Sequence, residues 1–238
     1  MTQKDSFSIE SRITFNRAKV IQDFDNLIDA RGSGYVSVVD VNVLTEVTID
    51  SHYRSIINNS DLCLCDGGFI ALIMNIKRLS RSFKTFTGPE LFAHYIEKVK
   101  YHQAILGSTE KDFGSLLETL KKNGHIKHEP LPFGSVEEFD IQDIIRRLNL
   151  KNYDIVWVML GAPKQEHISS ELAKGLNNGI LVGSGAALNF YLGNLNELKF
   201  TLLGLKFTWL VRLFKEPRKQ GKRLIRFAFN LPKILRYF

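Results

Sequence analysis

The chain has 238 residues, 44% of them hydrophobic and 24% charged, with a formal net charge of +7. That composition belongs to a folded globular chain and excludes a disordered or collagen-like one, and no stretch approaches the roughly 18 uninterrupted apolar residues of a spanning helix. The charge is uneven: residues 199–238 carry eleven Lys+Arg against one acid, Glu216, while the remainder carries 21 bases and 24 acids. A mildly acidic body thus bears a strongly basic tail, which suggests an anionic partner for the tail alone. The polar start MTQKDSFSIESR does not read as a secretory signal.

In chain order, residues 18–30 predict an amphipathic helix with Val20, Phe24, Leu27 and Ile28 on one face. GSGYVSVVDVNV (32–43) reads as a turn and a strand ending in Asp40-x-Asn42, and residues 44–58 as a helix. SDLCLCDGG (60–68) is a short apolar strand running into Asp66-Gly67-Gly68, with a helix over 69–79 directly behind it. Its cysteines, Cys63 and Cys65, share one face of that strand and read as reduced core residues, because no further Cys or spaced His joins them as a metal set. TFTGPELFAHYIEKV (85–99) is a loop and a helix with Pro89 in the first turn. Strand–turn–helix units follow at 103–124, 153–175 and 179–194, with a helix over 140–148 between them. The tail predicts a basic amphipathic segment: Arg212, Lys215, Lys219, Lys222 and Arg226 approximate one stripe, interrupted at Glu216-Pro217 and ending before Pro232.

Alternating strands and helices predict an α/β fold, a Rossmann-like parallel sheet with helices on both faces, in which ligands sit at the carboxyl ends of the strands. Glycines and polar residues gather at those ends. Asp66 precedes two glycines and a helix N-terminus; it can serve as a general base or merely cap the next helix. In GAPKQE (161–166), Gln165 can both donate and accept, and Lys164 can meet a phosphate, or the loop is a solvated βα turn. GSGAALNF (183–190) resembles a phosphate-cradling turn through Gly183 and Gly185, without the Lys of a Walker loop or the third glycine of a dinucleotide site. Gly107 marks a similar turn. Asp40 and Asn42 can reach the same cleft or serve as strand-end hydrogen-bond partners. The six histidines show no paired spacing, so no metal site is expected.

Together VVDVNV, LCLCDGGFIAL, TFTGPEL, ILGSTEKDFGSLLETL, MLGAPKQE, GSGAALNFYLGN and GLKFTWLVRLFKEPR resemble the WecG/TagA/CpsF family of bacterial glycosyltransferases over residues 8–228. The resemblance implies an inverting transferase that takes a UDP-activated sugar, N-acetylmannosamine-like or its uronate. The acceptor it implies is a sugar on undecaprenyl diphosphate, used at the cytoplasmic face of the membrane in cell-surface polysaccharide or teichoic-acid-type synthesis. It also implies independence from metals and cofactors, and a C-terminal appendage that binds the membrane and completes the active site. Residue by residue, it makes Asp66 the catalytic base and Gln165 the active-site glutamine, and it aims Arg212 at the donor diphosphate. Arg218 and Lys222 are further donors in the tail, and Gly67, Asn42 and Asn189 lie in matched motifs. Asp40 stands where many members have Thr, Asn189 where many have Asp, and NELKF (196–200) replaces the usual Arg-x-Pro.

The expected organisation is a core over 1–198 and a membrane-associating appendage over 199–238. The sequence is compatible with a homo-oligomer. A non-catalytic nucleotide-sugar-binding or sensing protein is the alternative. Nucleic-acid binding is disfavoured, because the bases are confined to an apolar tail without stacking aromatics arranged among them.

Overall fold

The structure, a computed structural model, describes residues 7–120, 124–132, 134, 136–195, 201–202, 205–206 and 217–238, with side chains of the last segment described from 221 onward. A parallel sheet of seven strands in the order β1-β3-β2-β7-β6-β4-β5 forms its centre. The strands are β1 (Ile13–Thr14), β2 (Ser33–Val39), β3 (Leu62–Cys65), β4 (Gln103–Leu106), β5 (Ile126–Glu129), β6 (Ile155–Val158) and β7 (Gly179–Gly183). Helices cover both faces, so each central strand is buried on both sides and reads as a continuous apolar run. On one face, Val36, Val38, Leu62, Leu64, Ile155, Trp157 and Val182 pack with α2 (Arg17–Asp29), α6 (Gly88–Tyr95), α7 (Glu110–Thr119) and α10 (Ala187–Tyr191). On the other, Tyr35, Val39, Cys63, Cys65, Val156 and Leu181 pack with α3 (Val41–Ile49), α4 (Ser51–Asn59), α5 (Gly68–Lys77), α8 (Ile141–Lys151) and α9 (Lys164–Ala173). Both cysteines are free and buried. A short helix, α1 (Ile9–Arg12), precedes β1, and β8 (Thr201–Leu202) pairs antiparallel with β9 (Leu205–Lys206).

The topology dictates where a ligand can sit. The chain lays β2 and β3 toward one edge, crosses through α5 and α6, and builds the other half from β4 onward. The halves meet where β2 pairs with β7. At such a switch point the loops after neighbouring strands diverge and leave a crevice at the carboxyl edge.

The structure departs from the sequence expectation in four places. The strand over 32–43 stops at Val39, and residues 41–43 are already helix, because the Asp40 carboxylate accepts from the Asn42 and Val43 N–H groups and starts α3. The helix over 44–58 is two helices, broken at Asp50, whose side chain caps α4. Strands β1 and β5 were not foreseen: one has two residues, and the other, IKHE, lies at the sheet edge with a polar composition. Pro232 does not end the tail segment but lies inside α11 (Pro217–Ile234). That helix packs on α3. Phe227 meets Phe69 of α5 edge-on at 5.0 Å, and Ile234 and Phe238 are buried in the core.

Candidate active site

Four adjacent strands, β3, β2, β7 and β6, deliver Asp66, Asp40, Gly183-Ser184-Gly185 and the Gly161–Gln165 turn to one edge of the sheet. Asp66 is half-buried, and its N–H bonds the Val39 carbonyl at 2.9 Å, which ties it to the end of β2. Gly67, at φ 136°, is the N-cap of α5, so Asp66 stands one residue ahead of the capping position. That φ is one that L side chains rarely adopt, and it turns the chain sharply into the helix. The 85–88 loop closes the other side: the Phe86 N–H bonds the Cys65 carbonyl at 3.1 Å. Thr87 and Glu90 form a reciprocal capping box that holds the start of α6. A Cβ on Gly88 would lie 3.3 Å from Val38 Cγ1 and 3.9 Å from Asp66 Oδ2, so α6 begins in close contact with the strand end that carries Asp66. The N-termini of α5 and α6 both open here, and both favour an anionic ligand.

Gln165 is buried in α9 and fixed by three hydrogen bonds. Its Oε1 accepts from the Gly161 N–H at 3.0 Å, and its Nε2 donates to the Gly183 carbonyl at 3.1 Å and to Glu166 Oε1 at 2.8 Å. The amide orientation is therefore determined by the fold. The glycines of the β7 turn have a direct steric reason: a Cβ on Gly183 would lie 3.0 Å from Gln165 Nε2, and one on Gly185 3.4 Å from Gln165 Oε1. The Ser184 and Gly185 N–H groups both point to the Val158 carbonyl, at 3.0 and 3.3 Å. These two donors are thus engaged within the turn, and the glycines make room for Gln165. With strands about 4.8 Å apart, Asp66 on β3 and the Gln165 amide at β7 are separated by roughly 10 Å. That leaves room for a ligand between them rather than a direct contact.

Behind Gln165 lies Glu166, wholly buried, which the sequence reading named in its motif but gave no role. Burial raises its carboxyl to about 7, and nearby Asp40 pushes in the same direction, against the Gln165 and Tyr53 interactions. Burial also lifts the Tyr53 hydroxyl, with Glu166 as the next cause. The two groups perturb each other, yet neither Tyr53 Oη nor Glu166 Oε2 has a hydrogen-bond partner of good geometry.

Other predicted residues fall differently. Both Asp40 oxygens are taken up by α3 and by the Asn42 amide, which donates at 2.8 Å, so these two residues hold each other. Lys164 is exposed and donates to the Gly134 carbonyl at 2.8 Å. Gly107 is buried at the end of β4 with φ 84°, and its carbonyl accepts from His128. Asn189 accepts from Asn194 at 3.3 Å on α10. Lys222 is exposed on α11. Arg212, Lys215 and the side chains of Arg218 and Lys219 lie outside the described residues. Among the described residues no three His, Cys, Asp or Glu side chains gather as a metal site.

The sequence profile of the glycosyl transferase WecG/TagA/CpsF family matches residues 10–238. The chain belongs to this family. It is also similar to the N-acetylglucosaminyldiphosphoundecaprenol N-acetyl-beta-D-mannosaminyltransferase of Bacillus spizizenii, at 20% identity over 202 residues, 83% of this chain and 77% of that protein. The enzyme of the same name from Bacillus subtilis (strain 168) is 21% identical over 201 residues, again 83% and 77%. In this glycosyltransferase the Rossmann-like sheet brings the Asp66 loop and the GAPKQE loop, three strands of sequence apart, to opposite sides of the β2–β7 junction. No described helix is long and apolar enough to cross a membrane.

Proposed function

We propose that the chain is an inverting glycosyltransferase that moves an N-acetylmannosamine-like sugar, or its uronate, from UDP to N-acetylglucosamine on undecaprenyl diphosphate. The activity named for the two Bacillus relatives supports the transferred sugar and the acceptor class. The observation that carries the chemistry is Asp66, held at the carboxyl end of β3 beside two opening helix N-termini. In this reading the acceptor hydroxyl oxygen attacks the anomeric carbon, its proton passes to an Asp66 carboxylate oxygen, and the bond from that carbon to the UDP oxygen breaks with its electron pair on UDP. A single in-line displacement of this kind inverts the anomeric centre. General-base assistance contributes about 10²–10⁴-fold.

The departing diphosphate gathers negative charge, which the N-termini of α5 and α6 and the basic residues of the tail, Arg212, Arg218 and Lys222, are proposed to absorb. Gln165, with its amide fixed, is proposed to position the donor, and Glu166 to position Gln165. Asp40 and Asn42 shape the neighbouring wall through their mutual hydrogen bond. The division into a core over 1–198 and an appendage over 199–238 is kept as a proposal: the appendage binds the inner membrane face, where the lipid-linked acceptor resides, and supplies diphosphate ligands. We propose no metal and no cofactor.

The test is a panel of UDP-sugars incubated with a lipid-diphosphate-linked N-acetylglucosamine, read by product mass and anomeric configuration, with and without EDTA. A product of inverted configuration, formed equally with EDTA, is expected. Retention of configuration, or loss of activity with EDTA that Mg²⁺ restores, overturns the mechanism. Binding of UDP-sugars without transfer to any acceptor returns the chain to a sensing role.

A further inference from the structure

The turn that ends α5 joins three properties that packing of the chain does not account for. The first is conformational. The Leu79 N–H bonds the Ile76 carbonyl at 3.2 Å, and the Ser80 N–H reaches back to the Asn75 carbonyl at 2.9 Å, the pattern of a Schellman helix end. The residue that turns left-handed there is Leu79, at φ 45°. Glycine or asparagine ordinarily takes that place, because a Cβ in this region crowds the next carbonyl. Leu79 is nevertheless 96% exposed, so its side chain contributes almost nothing to the core. Ile76, three residues earlier on the same side of α5, is 64% exposed.

The second property is charge. Residues 67–89 hold four bases, Lys77, Arg78, Arg81 and Lys84, and no acid, within a body that otherwise carries surplus acid. Arg78 pairs with Glu10, and Lys77 donates to the Phe238 carbonyl. Arg81 and Lys84 are exposed and make no ion pair among the described residues.

The third is position. The Lys77–Phe238 contact sets the turn against the end of the basic tail, where Leu235 and Arg236 are also exposed. At its other end α5 begins at Gly68, two residues after Asp66, and its ten residues span about 15 Å. The exposed turn is thus one short helix away from the proposed base.

We infer that the turn over residues 76–84 is a second lipid-contacting element, placed on the body rather than on the tail. Ile76 and Leu79 enter the headgroup–acyl boundary of an anionic bilayer, and Arg81 and Lys84 meet its phosphates. The turn and the tail then give the enzyme two points of attachment, which orient the Asp66 crevice toward lipid-borne acceptor. This rests on the reading of a lipid-linked acceptor and moves part of the membrane contact away from the segment to which the sequence alone assigns it. A second copy of the chain is a poorer occupant, because it would bring the same acid-free basic segment against itself, whereas an anionic leaflet complements it.

The test compares wild type with the Ile76→Gln/Leu79→Asn double variant in the full chain, by co-sedimentation with vesicles of phosphatidylglycerol and phosphatidylcholine. Asparagine suits the left-handed position, so the melting temperature is expected to stay level or rise. Vesicle partitioning is expected to fall about tenfold or more, the scale of withdrawing two large apolar side chains from a lipid phase. Turnover of a water-soluble short-chain acceptor is expected to be unchanged. Leu150→Gln, an exposed leucine on α8, serves as the control and should partition as wild type does. A folded double variant that partitions like wild type overturns the inference while leaving the membrane reading intact. Wild type that fails to bind the vesicles overturns both. A change in oligomeric state by light scattering, with vesicle binding retained, overturns it in favour of self-association.

Discussion

Asp66, at the end of β3, and Glu166, in the first turn of α9, are both acidic side chains near the same crevice, and their surroundings suit opposite tasks. Asp66 is half-buried beside two helix N-termini, whereas Glu166 is fully enclosed behind Gln165. Asp66→Asn is expected to leave the melting temperature within the range of a surface change and to lower turnover by about 10²-fold or more. A folded variant that keeps most of its activity removes Asp66 as the base. Glu166 yields a pH signature whose sign is opposite to that of an ion-paired acid. Its carboxyl titrates near 7 in the folded chain, against 4.5 for an unperturbed Glu. Between those values the folded state holds a proton that the unfolded state has released, so stability from this group is greatest below pH 4.5 and is lost as pH rises through 7, by about 3 kcal/mol. In Glu166→Gln the amide oxygen can still accept from Gln165 Nε2, and that loss should vanish. The difference in unfolding free energy between variant and wild type, measured by denaturant melts from pH 5 to 8, should therefore grow with pH in favour of the variant. A pH-independent difference would show that Glu166 stays ionised. The residue types and order of Asp66 and Gln165 were legible in the sequence. The part played by Glu166 was not, because burial is a property of the packed chain, and a glutamate opening a helix is solvated in most sequences.

At the scale of elements, the start of α6 is the support on which Asp66 depends. Thr87 accepts from the Glu90 N–H at 3.3 Å, and both the Thr87 N–H and its hydroxyl donate to Glu90 Oε2, at 2.8 and 3.0 Å. Thr87→Ala is expected to cost about 1 kcal/mol, a fall of roughly 2–4 °C in melting temperature for a chain of this size. Because the 85–88 loop flanks Asp66, turnover at a temperature well below the melt should fall further than this small loss of folded protein explains. Turnover that follows only the folded fraction would show that the loop is scaffold alone. The capping box could be seen in the sequence as TGPE. Its contact with the end of β3 could not, since twenty residues of α5 and its turn intervene and only the sheet order brings the two together.

At the scale of the whole molecule, the tail is both a packed part of the body and an outward surface. Ile234 and Phe238 are buried in the core, and Arg226 is paired with Glu46. Ile225 and Phe229, four residues apart on α11, are 59% and 83% exposed. Removing residues 218–238 would therefore strip the core as well as any membrane anchor, and a surface substitution is the cleaner test. Phe229→Glu is expected to weaken binding to anionic vesicles about tenfold while changing stability by no more than about 0.5 kcal/mol. Binding equal to wild type would refute the lipid role of this face. Arg212→Ala tests the separate diphosphate role: turnover of a water-soluble acceptor should fall, and full activity there would leave the tail as an anchor only.

The amino-acid order by itself determined the class of fold, the strand-end motifs and the family, because apolar periodicity, glycine placement and short motifs are local properties that need no knowledge of contacts. It also separated a basic tail from an acidic body, since charge can be counted along the chain. Only the tertiary structure decided that β2 lies between β3 and β7, which places Asp66 and Gln165 about the same crevice. It showed that a Cβ at Gly183 or Gly185 would meet Gln165, that Asp40 is occupied at the start of α3, and that Arg226 is paired with Glu46. These outcomes depend on distances between groups far apart in sequence. A side chain's partner, exposure and proton affinity are set by what folding brings beside it, and spacing along the chain does not contain that information.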